Sequence, residues 1–306
     1  MTRTAAAIVT LLLLSLGAPL AVRGSTPTSG AADYAQPGPH AVDVREVDIP
    51  RPGTNDRFGA RLFVPVAVDE AAGSEASPIF AFGHGYLAPV DIYQSTLEHL
   101  ASWGITVVAP RSGRSLTPSH ASFGADLVAA LDHVRVLSSG DDWTGLPVDG
   151  NARGVGGHSM GGGAAVLAAR LDPGIRTVAT LSAADTRPSA VVASESVEAP
   201  MLLVAGSEDR ITPIDQHQRP IFEAAAGPAQ LRIIEGGGHC GYLDEADLIG
   251  LVCGRASLAA EEQRAEGRAA LSAWLRAQLM GDAEAQDQVE AGGPGLIIER
   301  RGGPAT

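Results

Sequence analysis

The segment Gly157-His158-Ser159-Met160-Gly161 constrains this chain more than any other, because it sets one serine between glycines at the point where a strand hands over to a helix. Ala152 to Gly157 is a short apolar stretch that reads as a strand, and Ala164 to Leu171 is dominated by strong helix formers. A turn that sharp requires positions two before and two after the serine to be nearly free of side chain, so that the backbone can bend. The bend pushes the Ser159 Oγ out of the fold. It also leaves the N-terminal amides and positive dipole end of the following helix where negative charge would develop on a reacting group.

A Gly-x-Ser-x-Gly can be an ordinary flexible loop, so its meaning rests on what accompanies it. A serine hydroxyl becomes nucleophilic only beside a base, and the base must itself be oriented by an acid. Both types follow downstream at strand ends. Asp209 comes after the apolar run Met201 to Gly206, and His239 comes after Gln230 to Glu235 and three glycines. Glu208 competes with Asp209 for the acid role. Asp209 is favoured because a short side chain next to the turn ending at Pro213 is held more rigidly. Upstream, Ile79 to Gly83 reads as a strand running into His84-Gly85-Tyr86, and the backbone N–H groups of Tyr86 and Met160 are the expected pair of oxyanion donors. The competing role for Tyr86 is simple packing at a strand end.

The remaining histidines, at 40, 84, 99, 120, 133, 158 and 217, show no metal-ligand spacing, so neither a metal nor an organic cofactor is expected. His158, next to the serine, is expected to support it from behind. All 22 basic residues are arginine, which excludes Schiff-base lysine chemistry, pyridoxal-phosphate enzymes and a Walker A lysine. A net charge of −13 gives no electrostatic basis for holding nucleic acid or an anionic membrane.

The chain begins Met1-Thr2-Arg3 and continues with an apolar run to Leu16 that is too short to span a bilayer, which reads as a secretory signal over residues 1–24. The expectation is a secreted or periplasmic protein without stable membrane insertion. Residues 25–40 read as a flexible leader, 41–280 as one catalytic domain, and 281–306, with its Gly-Gly-Pro clusters, as a flexible tail. In an exported chain, two cysteines point to one disulfide between Cys240 and Cys253, with two buried free thiols as the alternative.

Within the domain, buried-type strands at 105–109, 177–181, 201–206 and 230–235 alternate with helical periodicity such as Phe123, Leu127, Leu131 and Val134. That alternation predicts an α/β fold with a mostly parallel sheet covered by helices on both faces. Residues 42–49 and 58–64 read as an antiparallel pair at its edge. Only Ser182 to Pro200 separate the strand after the serine's helix from the acid-bearing strand, so little or no cap domain fits.

With these residues in view, the chain resembles the α/β-hydrolase superfamily, in the branch of cutinase-like polyesterases, chlorophyllases, platelet-activating-factor acetylhydrolases and dienelactone hydrolases. The resemblance lies in Gly157 to Gly163, in Gly85-Tyr86 and in Asp209 to Pro213. It implies a nucleophile at Ser159, an acid at Asp209 and a base at His239. Dienelactone hydrolases use cysteine where this chain has Ser159. The polyesterases carry a tryptophan on the loop that here reads Leu181 to Thr186, with no aromatic residue. The expected function is a secreted serine esterase, lipase or cutinase-like hydrolase, acting as a monomer on small or lipid-like esters. Acyl transfer, peptide hydrolysis, or ligand binding without catalysis are the alternatives.

Overall fold

Strand-forming runs in this chain alternate inward and outward across a sheet that has helices on both sides, and that alternation organises the fold. The computed structural model describes residues 33–68, 75–244 and 253–302. Among them the strands are β1 (Ala41–Pro50), β2 (Arg57–Val66), β3 (Ser77–Gly83), β4 (Thr106–Pro110), β5 (Val148–His158), β6 (Thr177–Leu181), β7 (Met201–Gly206), β8 (Ala229–Ile234) and β9 (Leu296–Arg301). They form one sheet in the order β1-β2-β4-β3-β5-β6-β7-β8-β9. Strands β4, β3, β5, β6, β7 and β8 pair in parallel, whereas β1, β2 and β9 pair antiparallel.

Along β3, Ile79 and Ala81 face one core layer while Phe80 and Phe82 face the other, the two-residue period of a strand buried on both sides. The first layer is closed by α2 (His120–Leu137), α3 (Met160–Leu171), the short α4 (Ala190–Ser194) and α5 (Gln218–Ala224). The second is closed by α1 (Gln94–Ser102) and α6 (Ala260–Met280). The sheet is thus mostly parallel with helices on both faces. Between β6 and β7 the chain forms only the five-residue α4, too little to build a cap. The antiparallel pair foreseen at the edge is β1 with β2.

Two boundaries differ from expectation. The segment read as a flexible tail folds into α7 (Ala283–Glu290) and β9, and β9 pairs with β8 along its whole length. Gly281 closes α6 in the left-handed conformation, and the Asp282 side chain accepts the Glu284 and Ala285 amides to start α7. The Gly-Pro clusters punctuate these elements instead of dissolving them. Part of the leader is also built in. Tyr34 is buried with its ring 4.6 Å from that of Trp103, and its hydroxyl donates to Asp282. The signal segment 1–24 and leader residues 25–32 lie outside the described residues.

The register places the chemistry-bearing loops together. Gly83 at the end of β3 is level with Gly157 in β5, and His158 with Leu181 in β6. Because β3, β5, β7 and β8 are parallel, the loops that carry Gly85, Ser159, Asp209 and His239 all leave the same edge of the sheet, where open α/β sheets gather their ligands.

Candidate active site

Ser159 stands at the turn from β5 into α3 with φ 55° and ψ −121°, a conformation that costs energy for a residue with a Cβ and persists only when its surroundings enforce it. They do so through the backbone. The Ser159 N–H donates to Leu181 O at 3.0 Å, and its carbonyl accepts from Gly162, Gly163 and Ala184. The flanking glycines are needed for contact: a Cβ on Gly161 would lie 2.0 Å from Gly83 O, and one on Gly157 2.4 Å from the same oxygen. Helix α3 therefore crosses the end of β3 at backbone distance, and Met160, its first residue, has an N–H without an intrahelical acceptor.

On the loop after β3, the Gly85 carbonyl accepts the Ala88 N–H at 3.1 Å and lies 2.8 Å from His84 Nδ1. Since a trans peptide points its N–H opposite to its C=O, fixing the Gly85 carbonyl also fixes the direction of the Tyr86 N–H. A Cβ on Gly85 would lie 3.6 Å from that of Ser159, so this loop abuts the serine. The Tyr86 side chain is not packed away: it is 50 % exposed and donates its hydroxyl to Leu116 O.

His239 and Asp209 meet across the loops after β8 and β7. Their Nδ1 and Oδ2 lie 2.8 Å apart, both residues buried. The other Asp209 oxygen accepts the Ile211 and Thr212 amides, and the Thr212 hydroxyl donates to Oδ2 at 2.8 Å. Burial pushes the Asp209 carboxyl up, but the hydrogen bonds from His239 and Thr212 and the charge of His239 outweigh it and hold the group down at about 2. An ionised carboxylate can only accept, so in this bond His239 Nδ1 is the donor. The neighbouring Glu208 is turned outward, accepting from the Ser257 N–H and hydroxyl. The geometry thus sets Asp209, and not Glu208, against the histidine.

The His239 ring centroid is 4.6 Å from that of His158, the residue before Ser159, so β5 and the loop after β8 converge on one place. Cys240, next to His239, is joined to Cys253 in a disulfide. The loop 181–186 carries no aromatic side chain, and its Asp185 accepts from Ser189, Ala190 and Val191 at the start of α4. Among the described residues, no group of three or more His, Cys, Asp or Glu is placed to hold a metal ion.

Sequence reasoning did not single out Thr212 or Gln218. Thr212 sits three residues after Asp209, the spacing of a side-chain-capped turn, which was a usable signal. Gln218, which donates to Ala183 O and Thr212 Oγ1, had none.

A family model described as PET hydrolase-like matches residues 18–247. A bis(hydroxyethyl) terephthalate hydrolase of Streptomyces coelicolor is 28% identical over 205 residues, 65% of this chain and 59% of the relative. Lipase 1 of a Moraxella species is 26% identical over 212 residues, 68% of this chain and 60% of the relative. A cutinase of Thermobifida alba is 25% identical over 213 residues, 70% of this chain and 66% of its own length. The chain thus spans about three fifths of the length of the first two. The strained serine turn, the parallel sheet beneath it and a family match over most of the sequence lead to one assignment: this chain belongs to the PET hydrolase-like family.

Proposed function

We propose that this protein is a serine hydrolase that cleaves carboxylic esters through a covalent acyl-enzyme, with Ser159 as nucleophile, His239 as general base and acid, and Asp209 as the orienting acid. The observation that carries the reading is the buried Asp209–His239 pair at 2.8 Å on the loop edge where Ser159 is held with a positive φ. Because Asp209 accepts the hydrogen bond from Nδ1–H, His239 Nε2 is left with its lone pair to receive the serine proton.

In the first half-reaction Ser159 Oγ attacks the ester carbonyl carbon while its proton passes to His239 Nε2. The Tyr86 and Met160 N–H groups stabilise the resulting oxyanion. His239 then gives its proton to the departing alkoxide, the carbon–oxygen bond breaks and the acyl group remains on Ser159. In the second half-reaction His239 deprotonates a water molecule that attacks the acyl-enzyme, and Ser159 is regenerated. The lack of a cap between β6 and β7 gives water ready access, which favours hydrolysis over acyl transfer. The relatives, a bis(hydroxyethyl) terephthalate hydrolase, a lipase and a cutinase, are all consistent with ester chemistry. Export fits the amino-terminal apolar run and the Cys240–Cys253 disulfide.

The test is labelling by a fluorophosphonate probe together with turnover of a graded panel of soluble esters. Labelling at Ser159, lost in Ser159→Ala along with all ester hydrolysis while the fold is retained, is the expected result. Near-normal turnover by that variant would remove Ser159 from the mechanism.

A further inference from the structure

We propose that Tyr93 and His158 form a buried hydrogen-bonded relay that holds the oxyanion loop and the loop carrying His239 in one mutual geometry. The inference rests on the ester-hydrolysis reading and assigns positioning residues to it. Tyr93, in the short 3-10 turn Val90–Tyr93 before α1, is fully buried, and His158, the last residue of β5, is 2 % exposed. Three contacts run through them from Gly85 to His239: Gly85 N–H to Tyr93 Oη at 3.1 Å, Tyr93 Oη to His158 Nδ1 at 2.8 Å, and His158 Nε2 to the His239 carbonyl oxygen at 3.0 Å.

The proton arrangement along this chain follows from what each atom can do. The His239 carbonyl can only accept, so His158 Nε2 carries a hydrogen and donates it. In the neutral ring Nδ1 then has only a lone pair, and the Tyr93 hydroxyl is the donor that satisfies it. The Tyr93 oxygen, having donated its hydrogen, accepts the Gly85 N–H. Every polar atom in the relay is paired in this one direction, and reversing the His158 tautomer would set its bare Nε2 against a carbonyl oxygen. Burial first, and the neighbouring His239 charge second, hold the His158 pKa down at about 3, so the ring stays neutral through ordinary working pH.

The two ends of the relay are what make it more than packing. At one end lies Gly85, whose carbonyl is fixed from the other side by Ala88, so that both polar groups of this residue are held and the Tyr86 N–H is aimed. At the other end lies the backbone of the proposed base. There is no slack at the join: a Cβ on Gly85 would lie 3.1 Å from both His158 Nδ1 and Tyr93 Oη. An oxyanion donor and a general base work only if their spacing matches the tetrahedral intermediate, and displacements of about 1 Å can cost on the order of a hundredfold in rate.

The experiment compares wild type with Tyr93→Phe, His158→Gln, His158→Asn and His158→Ala on a soluble p-nitrophenyl ester of short acyl chain, with melting temperatures alongside. It adds the affinity of a boronic acid that mimics the tetrahedral state and the 15N NMR signature of the His158 ring in the wild-type protein. Tyr93→Phe keeps the ring and loses only the hydroxyl. It is expected to lower kcat roughly tenfold to a hundredfold with KM within about twofold, and to weaken the boronic acid in the same proportion. Gln, which can still donate near the Nε2 position, and Asn, which can still accept near Nδ1, should each retain more kcat than Ala. In the NMR spectrum the His158 proton should reside on Nε2.

A Tyr93→Phe enzyme with kcat within twofold of wild type, or a loss of kcat matched by an equal rise in KM, would overturn the relay. So would a proton found on Nδ1. Should Tyr93→Phe fail to fold, the wild-type NMR measurement decides alone. Absence of any ester turnover by wild type would sink the functional reading and leave the tautomer measurement to judge the relay.

Discussion

Replacing Asp209 by asparagine changes one atom, and the structure says what that atom does. Oδ1 of Asp209 accepts the Ile211 and Thr212 amides, so in Asp209→Asn the amide oxygen is held in that position by two N–H donors. The new NH2 group is thereby directed at His239 Nδ1 and Thr212 Oγ1, where the carboxylate oxygen had accepted. An NH2 group can only donate, so His239 must present a lone pair at Nδ1 and carry its hydrogen on Nε2. A ring in that tautomer cannot take a proton from Ser159. The expected loss is about 10³- to 10⁴-fold in kcat/KM, equivalent to roughly 4 to 5.5 kcal/mol of transition-state stabilisation. Stability should fall by about half as much. A carboxyl lowered from 3.8 to about 2 contributes on the order of 2 kcal/mol. Because the folded pKa is the lower one, that contribution is complete above about pH 4 and fades as pH falls toward about 2. The assay is steady-state hydrolysis of a soluble activated ester with thermal melts at matched pH, and Glu208→Gln serves as the neighbouring control. The reasoning fails if Glu208→Gln is the more damaging change, or if Asp209→Asn stays within tenfold of wild type while folded.

Three further outcomes follow from other parts of the fold. Reduction of the Cys240–Cys253 bridge opens a loop of 13-residue separation and should remove about 3 kcal/mol on the chain-entropy account. Since Cys240 adjoins His239, activity should decline together with melting temperature; reduced protein that melts as before and turns over ester normally would contradict this. With no aromatic residue, the 181–186 loop cannot sandwich an aromatic ring against Tyr86, which forgoes roughly 0.5 to 1.5 kcal/mol of ring pairing, at most about tenfold in affinity. Short- and medium-chain soluble esters should therefore be turned over well and an amorphous aromatic polyester film poorly, and substantial film loss would refute the inference. Ending the chain at Gly281 strips α7 and β9, exposing the β8 edge and losing the burial of Val289 and Ala285. A cost of at least about 3 kcal/mol, or roughly 6 to 12 °C in Tm, is expected with a greater tendency to aggregate; an unchanged melt would mean that β9 contributes nothing.

The serine turn was legible in the sequence because its requirements are local. Two glycines must allow backbone contact, a strand must lead in and a helix must lead out, all in one continuous stretch from Val148 to Leu171. The parallel strands were legible for a related reason: segments buried on both faces are apolar throughout, and β6 and β7 were bounded to the residue. Between the adjacent carboxylates, side-chain length and the Pro213 turn favoured Asp209, but the pairing itself is a tertiary matter. Glu208 and Asp209 share a loop, and which one meets His239 depends on the direction each side chain takes where β7 and β8 lie side by side. The carboxy-terminal segment was misread because its glycines and prolines resemble those of a linker. What folds it is an open β8 edge formed by residues about 70 positions earlier in the chain. The contacts of Tyr93 and His158 span 65 and 81 residues and leave no mark on periodicity or composition. Local backbone geometry writes itself into neighbouring residues, whereas the pairing of buried polar atoms is decided only when the sheet brings distant loops to one edge.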